Sequence, residues 1–273
     1  MKFESEINLA TELALLAGKA VMNIYEKDFS YIEKSDNEGP VTEADHLSNH
    51  IICEGIKKKF PQDYILSEEI EDEQIRLTNS RLWCIDPLDG TKDFIVKNDE
   101  FSIQIGLIAD KKAVAGVVYL PALNKLYYAS SHSGAFLIDK GIKSKLKTGN
   151  SSVLSQMTMI GSRSHRDKSY EQMVNFLSPK HEIIHGSVGA KTGFICEGKA
   201  DYLIYLSPNT KEWDTCAPEI ILEEAGGKIT DLYGKSIIYN KPNVRNTSGF
   251  VASNGKNHEA IIKKLSEFIN IQE

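Results

Sequence analysis

Within the stretch WCIDPLDGTKDF, Trp83 to Phe94, fall three aspartates, a proline, a glycine and a threonine. The apolar lead-in Leu82–Ile85 reads as a buried strand that delivers Asp86 to its end. Pro87 fixes φ and lacks an N–H, so the strand is expected to stop there. Asp86 and Asp89 are three residues apart, and a tight turn can point both carboxylates the same way. Gly90 permits a conformation or a close approach that a side chain would block. Thr91 is placed to cap a short helix over 92–96, and a helix start behind a glycine is suited to an anion. Carboxylates beside anion-binding amides would conflict unless divalent cations lie between them. Mg²⁺ takes oxygen ligands and shares its shell with phosphate oxygens. The local chemistry is therefore that of metal-assisted phosphoryl hydrolysis. Alone, PLDG reads equally well as a type I turn with a capping aspartate.

Other acidic ends bear on that choice. ILSEE puts Glu68 and Glu69 at a strand end, PVTEAD puts Thr42, Glu43 and Asp45 at a helix start, and EWDTCAPEIILEEAGG puts Asp214 at another. Acids favour the first turn of a helix for electrostatic reasons, so each has a plain structural explanation. Four such ends together favour a metal site. His46 and His50 are four apart on a predicted helix, but a zinc protease needs Glu after the first His and Leu47 stands there. They read as ordinary helix histidines, and KKKF at 57–60 reads as a solvated helix end. No GxxxxGK stretch occurs in a P-loop context.

These residues need elements to position them. An amphipathic helix is expected up to Tyr25, then a polar loop (EKSDNEGP, 33–40), then a helix capped by Thr42 and ended by Pro61. YILSEE and LWCI read as strands, and the β-rich runs from Phe101 to Asp139 read as an antiparallel meander. After the polar stretch KLKTGNSS come strands at TMIGSRS, EIIHG, DYLIYL, KITDL and GFVAS. Between and after them, helices are expected over 167–177, 188–197, from Asp214 and over 257–270. The expected fold class is α+β, with layered helices and mostly antiparallel sheets. The division falls between an N-terminal half, 1–150, and a C-terminal half, 151–273.

A chain of 273 residues is long enough for a sizeable core without disulfides. Its net charge of -6 argues against a nucleic-acid polymer as partner, yet a small anionic substrate remains compatible because bound cations reverse a site's sign. Cys53, Cys84, Cys196 and Cys216 form no C-x-x-C pair and suit a reducing cytoplasm. Cys84 and Cys216 adjoin the acidic motifs, where oxidation would matter. The first residues carry Glu4, Glu6 and Glu12 at helical spacing, unlike a signal peptide, and AVAGVVYLPAL is too short to span a membrane. No stable membrane insertion is expected, and oligomeric state is not readable from sequence.

In their order and spacing, PVTEAD, ILSEE, WCIDPLDGTKDF and WDTCAPEIILEEAGG resemble the inositol monophosphatase superfamily of Mg²⁺-dependent, lithium-sensitive phosphomonoesterases. DPLDGTKDF with Lys92, SRSH (162–165), GSVGAK (186–191) and WDTCAPE are most similar to its 3'(2'),5'-bisphosphate nucleotidase, CysQ-like branch. The resemblance implies an α/β/α/β/α sandwich of the inositol monophosphatase and fructose-1,6-bisphosphatase type. It implies two or three Mg²⁺ per site, held by Glu68, Asp86, Asp89, Asp214 and the Leu88 carbonyl. Asp45 and Thr91 would be the pair that activates water, with Gly90 and Thr91 amides on the scissile phosphate. Ser162, Arg163, His165, Ser187, Gly189 and Lys191 would surround the nucleotide and its second phosphate. Asp93 falls outside that set and reads as a residue complementing the helix dipole. The implied reaction converts 3'-phosphoadenosine 5'-phosphate to AMP and phosphate, in sulfur metabolism. An inositol or sugar phosphatase on the same scaffold, and a non-catalytic nucleotide or metal sensor, are the alternatives.

Overall fold

The computed structural model describes residues 2–34 and 39–272. The polar loop expected at 33–40 therefore lies partly outside the described residues. The first helix, α1 (Glu4–Tyr25), buries Ile7, Ala10, Leu13, Ala14, Ala17 and Val21, an i, i+3, i+4, i+7 stripe. Its length and apolarity alone would suit a membrane span, but that stripe packs on the sheet described next. A small hairpin, β1 (Tyr31–Glu33) with β2 (Pro40–Thr42), leads into α2 (Glu43–Lys59). Thr42 caps α2 as the sequence indicates. Its hydroxyl accepts from Ala44 N at 3.1 Å while Asp45 reaches back to Thr42 N at 2.8 Å.

A seven-stranded sheet follows in chain order: β3 (Tyr64–Ser67), β4 (Arg81–Asp89), β5 (Ser102–Ala109), β6 (Lys112–Leu120), β7 (Lys125–Ser130), β8 (Ala135–Asp139) and β9 (Ile142–Lys145). Only the β3–β4 pair is parallel. Pro87 does not end β4, contrary to expectation. The strand runs to Asp89 because the pairing with β5 shifts register between Asp86 and Asp89, where no ladder donor is required of the proline. Ser48 of α2 holds this irregularity by donating to the Pro87 carbonyl at 2.7 Å.

The second sheet has the order β11 (His181–His185), β10 (Thr158–Ser162), β12 (Tyr202–Tyr205), β14 (Phe250–Ser253), β13 (Lys228–Thr230). Its first three strands are parallel and β14 is antiparallel to both neighbours. Helices α5 (Val188–Cys196) and α6 (Glu212–Glu224) lie between the two sheets, while α4 (Lys168–Leu177) and α7 (His258–Gln272) cover the far face. With α1 and α2 on the near face, the layers run α/β/α/β/α.

Two glycines let α6 lie close on the first sheet. A Cβ at Gly116 would stand 2.8 Å from Ala217 Cα, and one at Gly106 would stand 3.1 Å from Ala217 N. Apolar burial is continuous across this contact, from Cys84 and Val118 to Cys216, Ala217 and Ile220 and on to Leu203 and Phe250.

Candidate active site

Because β4 is buried along its length, its C-terminal end is rigid, and the alternation of a strand decides which side chains share a face. Asp86 pairs with Gln104 and Asp89 with Ser102, so the two carboxylates look toward the inter-sheet helices. The close approach of α6 brings Asp214, in its first turn, to the same place. One oxygen each of Asp86, Asp89 and Asp214 lies within 4.8 Å of the others. Asp86 accepts from Leu88 N at 3.1 Å, and Asp214 from Lys211 N at 2.5 Å.

Gly90 sits at φ +96°, a conformation open to glycine, and a Cβ there would be 2.9 Å from the Glu100 carbonyl. The chain turns there into α3 (Thr91–Ile95). Thr91 opens that helix without capping it. Its hydroxyl lies 3.0 Å from Asp45 Oδ1 and 3.1 Å from the Leu88 carbonyl. The other Asp45 oxygen accepts from the Thr42 hydroxyl at 2.7 Å as well as from Thr42 N. Asp45 is thus fixed on one side and faces Thr91 on the other.

A cleft of about 630 Å³ opens over these groups, lined by Glu68, Asp86, Leu88, Asp89, Gly90 and Thr91 and, on its other walls, by Ser162, His165, Ser187, Lys191, Tyr205 and Asp214. Asp45 lies behind Thr91 and is not a wall residue. Glu68 lines the cleft and pairs with Lys34 at 3.3 Å, but it is not one of the three carboxylates whose oxygens meet within 4.8 Å. His165 Nδ1 lies 2.8 Å from the Tyr205 hydroxyl and 3.3 Å from Ser162 Oγ. Lys191 is fully buried, donating to the Gly186 carbonyl at 2.8 Å. Arg163 is not a wall residue. Its guanidinium grips Glu100 at 2.8 and 2.6 Å, because the acid that reaches it comes from a loop distant in sequence. Ser187 and Gly189 both donate to Asp89.

The electrostatics are those of a site where clustered negative charge outweighs the lysines around it. Burial, then the charges of Glu68, Asp89 and Asp214, push Asp86 well above the ordinary carboxylate range. Burial and the Asp89 and Glu68 charges raise Asp214 to about 8, with Lys211 opposing. Glu68 rises to about 7 through burial, which Lys34 opposes and Glu69 reinforces. Burial also raises Asp45 against its hydrogen bonds from Thr42 and Thr91. On the opposite wall burial lowers His165, helped by Lys191 and Lys92, so its imidazole is neutral near pH 7. Burial lowers Lys191 to about 8, opposed by Asp89 and Asp93. A buried, oxygen-only donor set with uncompensated negative charge suits a hard divalent cation such as Mg²⁺ or Mn²⁺.

The sequence profile of the inositol monophosphatase family matches residues 3–270. The chain belongs to the inositol monophosphatase family. Within that family it is 35% identical over 233 residues to the 3'(2'),5'-bisphosphate nucleotidase CysQ of Salmonella typhimurium, covering 84% of this chain and 91% of that one. It is 30% identical over 294 residues to 3'(2'),5'-bisphosphate nucleotidase 1 of Homo sapiens, covering 95% and 94%. Among solved structures, an IMPase from Thermotoga maritima superposes with a TM-score of 0.83 at 26% identity over 97% of this chain and 98% of that one. CysQ from Bacteroides thetaiotaomicron does so at 0.79 and 29% identity, over 93% and 98%. The family fold is the five-layer sandwich that the motifs imply.

Several residues of this family site escape sequence reasoning. Asp93 is buried, lines the cleft and accepts from Asn98 Nδ2 at 2.6 Å, so it is more than a solvated dipole partner. Lys34 and Ser102 reach the acidic residues from other elements, for which local sequence carries no signal, whereas Lys211 meets Asp214 locally, three residues before it at the start of α6. Tyr205 was findable in principle, as the last residue of the apolar strand DYLIY.

Proposed function

We propose that this chain hydrolyses the 3'-phosphate of 3'-phosphoadenosine 5'-phosphate to AMP and phosphate, as a bisphosphate nucleotidase of sulfur metabolism. One observation carries the reading: the aspartate cluster and Thr91, with Asp45 behind it, share one cleft with Ser162, Ser164 and His165. Asp86, Asp89, Asp214 and the Leu88 carbonyl, with Glu68 beside them, are the groups that would hold two or three Mg²⁺. When bound, the metal supplies Lewis-acid neutralisation of phosphate charge. Li⁺ inhibition is expected from the resemblance to the family.

The protein's own groups position the nucleophile. Thr91 directs its single proton to Asp45, and its lone pairs then accept from a water facing the scissile phosphorus. Thr42 occupies the rear oxygen of Asp45, so the carboxylate cannot rotate away and can accept the proton relayed through Thr91. Gly90 and Thr91 present the start of α3 to the phosphate. Neutral His165, braced by Tyr205, offers a ring face to the base. Ser162 and Lys191 line the wall that would receive the remaining polar groups. The four thiols are free and buried, in keeping with a reducing cytoplasm as the working compartment.

Phosphate release from 3'-phosphoadenosine 5'-phosphate, inositol 1-phosphate and fructose 1,6-bisphosphate, with Mg²⁺ and with or without Li⁺, tests the reading. Preference for the nucleotide, lost on metal removal, is the expected result. Preference for inositol or sugar phosphate would replace it with that activity, and no release from any would leave a sensor.

A further inference from the structure

We propose that Ser187, seconded by Ser102 and the Gly189 amide, is a positioning residue for Asp89 as a metal ligand and is not a substrate contact. The inference rests on the reading of Asp89 as a ligand. Asp89 Oδ2 accepts from Ser187 Oγ at 2.6 Å and from Gly189 N at 3.0 Å, and lies 3.3 Å from Ser102 Oγ. The two serine hydroxyls are 2.8 Å apart. All these contacts land on Oδ2, and among the described residues none lands on Oδ1. The carboxylate is thereby held in one rotation, with Oδ1 left for the cation.

The proton count excludes a second duty for Ser187. Its hydroxyl has one proton, which goes to Asp89. Its oxygen accepts from Ala190 N at 3.1 Å as the cap of α5. Ser102, facing it from β5, supplies its own proton to Ser187 Oγ or to Asp89. No side-chain donor remains on Ser187 for a substrate phosphate, although the residue lines the cleft.

The backbone supports the assignment. Ser187 sits at φ +40°, ψ 126°, a conformation non-glycine residues rarely adopt. Such strain persists where the surroundings over-determine it, here through a side chain bonded on both sides. The partners are 98 and 100 residues from Asp89 in the chain, so the second half of the molecule fixes a ligand of the first.

Mn²⁺ binding to metal-free protein, followed by loss of the free-ion EPR signal, tests this without turnover. Wild type should bind. Ser187→Ala and Ser187→Gly should both bind about tenfold more weakly, the range seen when groups that orient metal ligands are removed, and Ser102→Ala should show a smaller loss. Ser187→Gly removes the hydroxyl while relieving the backbone, so it carries the test if the alanine variant fails to fold. Wild-type Mn²⁺ affinity in all three variants would overturn the inference and leave the site reading intact. So would weak binding by Ser187→Ala alone, which would trace to the backbone. A rise in nucleotide KM at saturating Mg²⁺ with unchanged Mn²⁺ binding would instead make Ser187 a substrate contact. Absence of Mn²⁺ binding by wild type would overturn the reading of the site, and the inference with it.

Discussion

Replacing Asp86 with Asn should separate the cost of this site from its use. The substitution keeps the shape, and the amide oxygen can still accept from Leu88 N. It removes one of three carboxylate charges whose nearest oxygens lie within 4.8 Å of one another. Two unit charges at that separation repel by about 3.5 kcal/mol at an effective dielectric of about 20, so losing both pairs would relieve about 7 kcal/mol if all three groups were ionised. The metal-free protein already escapes most of this by binding protons, since Asp214 holds one up to about pH 8. What remains is about one to two pK units of unrelieved repulsion, about 1.5–3 kcal/mol. For a chain of this length that is a Tm rise of about 3–5 °C in chelator. Saturating Mg²⁺ should stabilise wild type and leave the variant almost unmoved, and turnover should be abolished. Thermal unfolding with and without Mg²⁺, beside a phosphate-release assay, reads all three. A variant less stable than wild type in chelator would refute the repulsion argument. A kcat near wild type at saturating Mg²⁺ would remove Asp86 from the site altogether.

Thr91→Val keeps the shape of α3 but removes the hydroxyl facing Asp45; kcat should fall by about 10²–10⁴ with Mg²⁺ half-saturation little changed, and a kcat close to wild type would dismiss the water-orienting pair. The raised carboxyls fix a pH dependence. Glu68 and Asp214 titrate at about 7 and about 8 in the folded protein, against 4.5 and 3.8 for the ordinary groups, so the folded state binds the extra protons. Their contribution to metal-free stability is therefore present below about pH 4 and is lost as pH rises through 7–8, while Mg²⁺ affinity rises over the same interval as the protons leave. Mg²⁺ titrations by thermal shift between about pH 6 and 9 check this, and a pH-independent midpoint would contradict it. His165→Ala should raise KM for the bisphosphate nucleotide about tenfold and spare kcat, as expected for loss of one stacking platform; equal effects on inositol 1-phosphate would show that the ring does not read the base.

The parts legible in sequence are those whose chemistry is local. The Thr42 cap is visible because cap and partner stand three residues apart, and the apolar stripe of α1 because a helix repeats every 3.6 residues. The end of β4 was misjudged for an equally physical reason. Proline is excluded from a regular ladder, but a register shift removes the need for its donor, and that shift is set by β5 and by Ser48, neither adjacent in sequence. Acidic residues could be assigned to a cluster by type and motif, yet not by partner. That Glu68 pairs with Lys34, or that Arg163 closes on Glu100, depends on packing between elements 34 and 63 residues apart. Asp93 reads from sequence as a residue complementing the helix dipole, and nothing local shows that α3 is pressed into the molecule and buries it.

Two buried carboxylates and a half-buried one facing one another conflict with the rules for a stable interior, and the sheets explain how the conflict is tolerated. A pairwise repulsion of about 3.5 kcal/mol is matched by burying one or two large apolar side chains, each contributing about 1.5–3 kcal/mol. The core that closes around the site has many, including Trp213, Ile220, Ile221 and Leu222 from α6 and Val118, Tyr127 and Leu137 from the sheet. The helix carrying Asp214 is therefore seated by apolar contact that does not involve the metal, and its distance from β4 is set by the space over Gly106 and Gly116. A small metal-nucleated domain cannot do this, because its ligands are unpositioned until the ion arrives. Here the three carboxylates of the proposed site are assembled without an ion, so its cation affinity would be set by how well Asp86, Asp89 and Asp214 are held against mutual repulsion. The groups that brace them should then matter to the chemistry nearly as much as the ligands themselves.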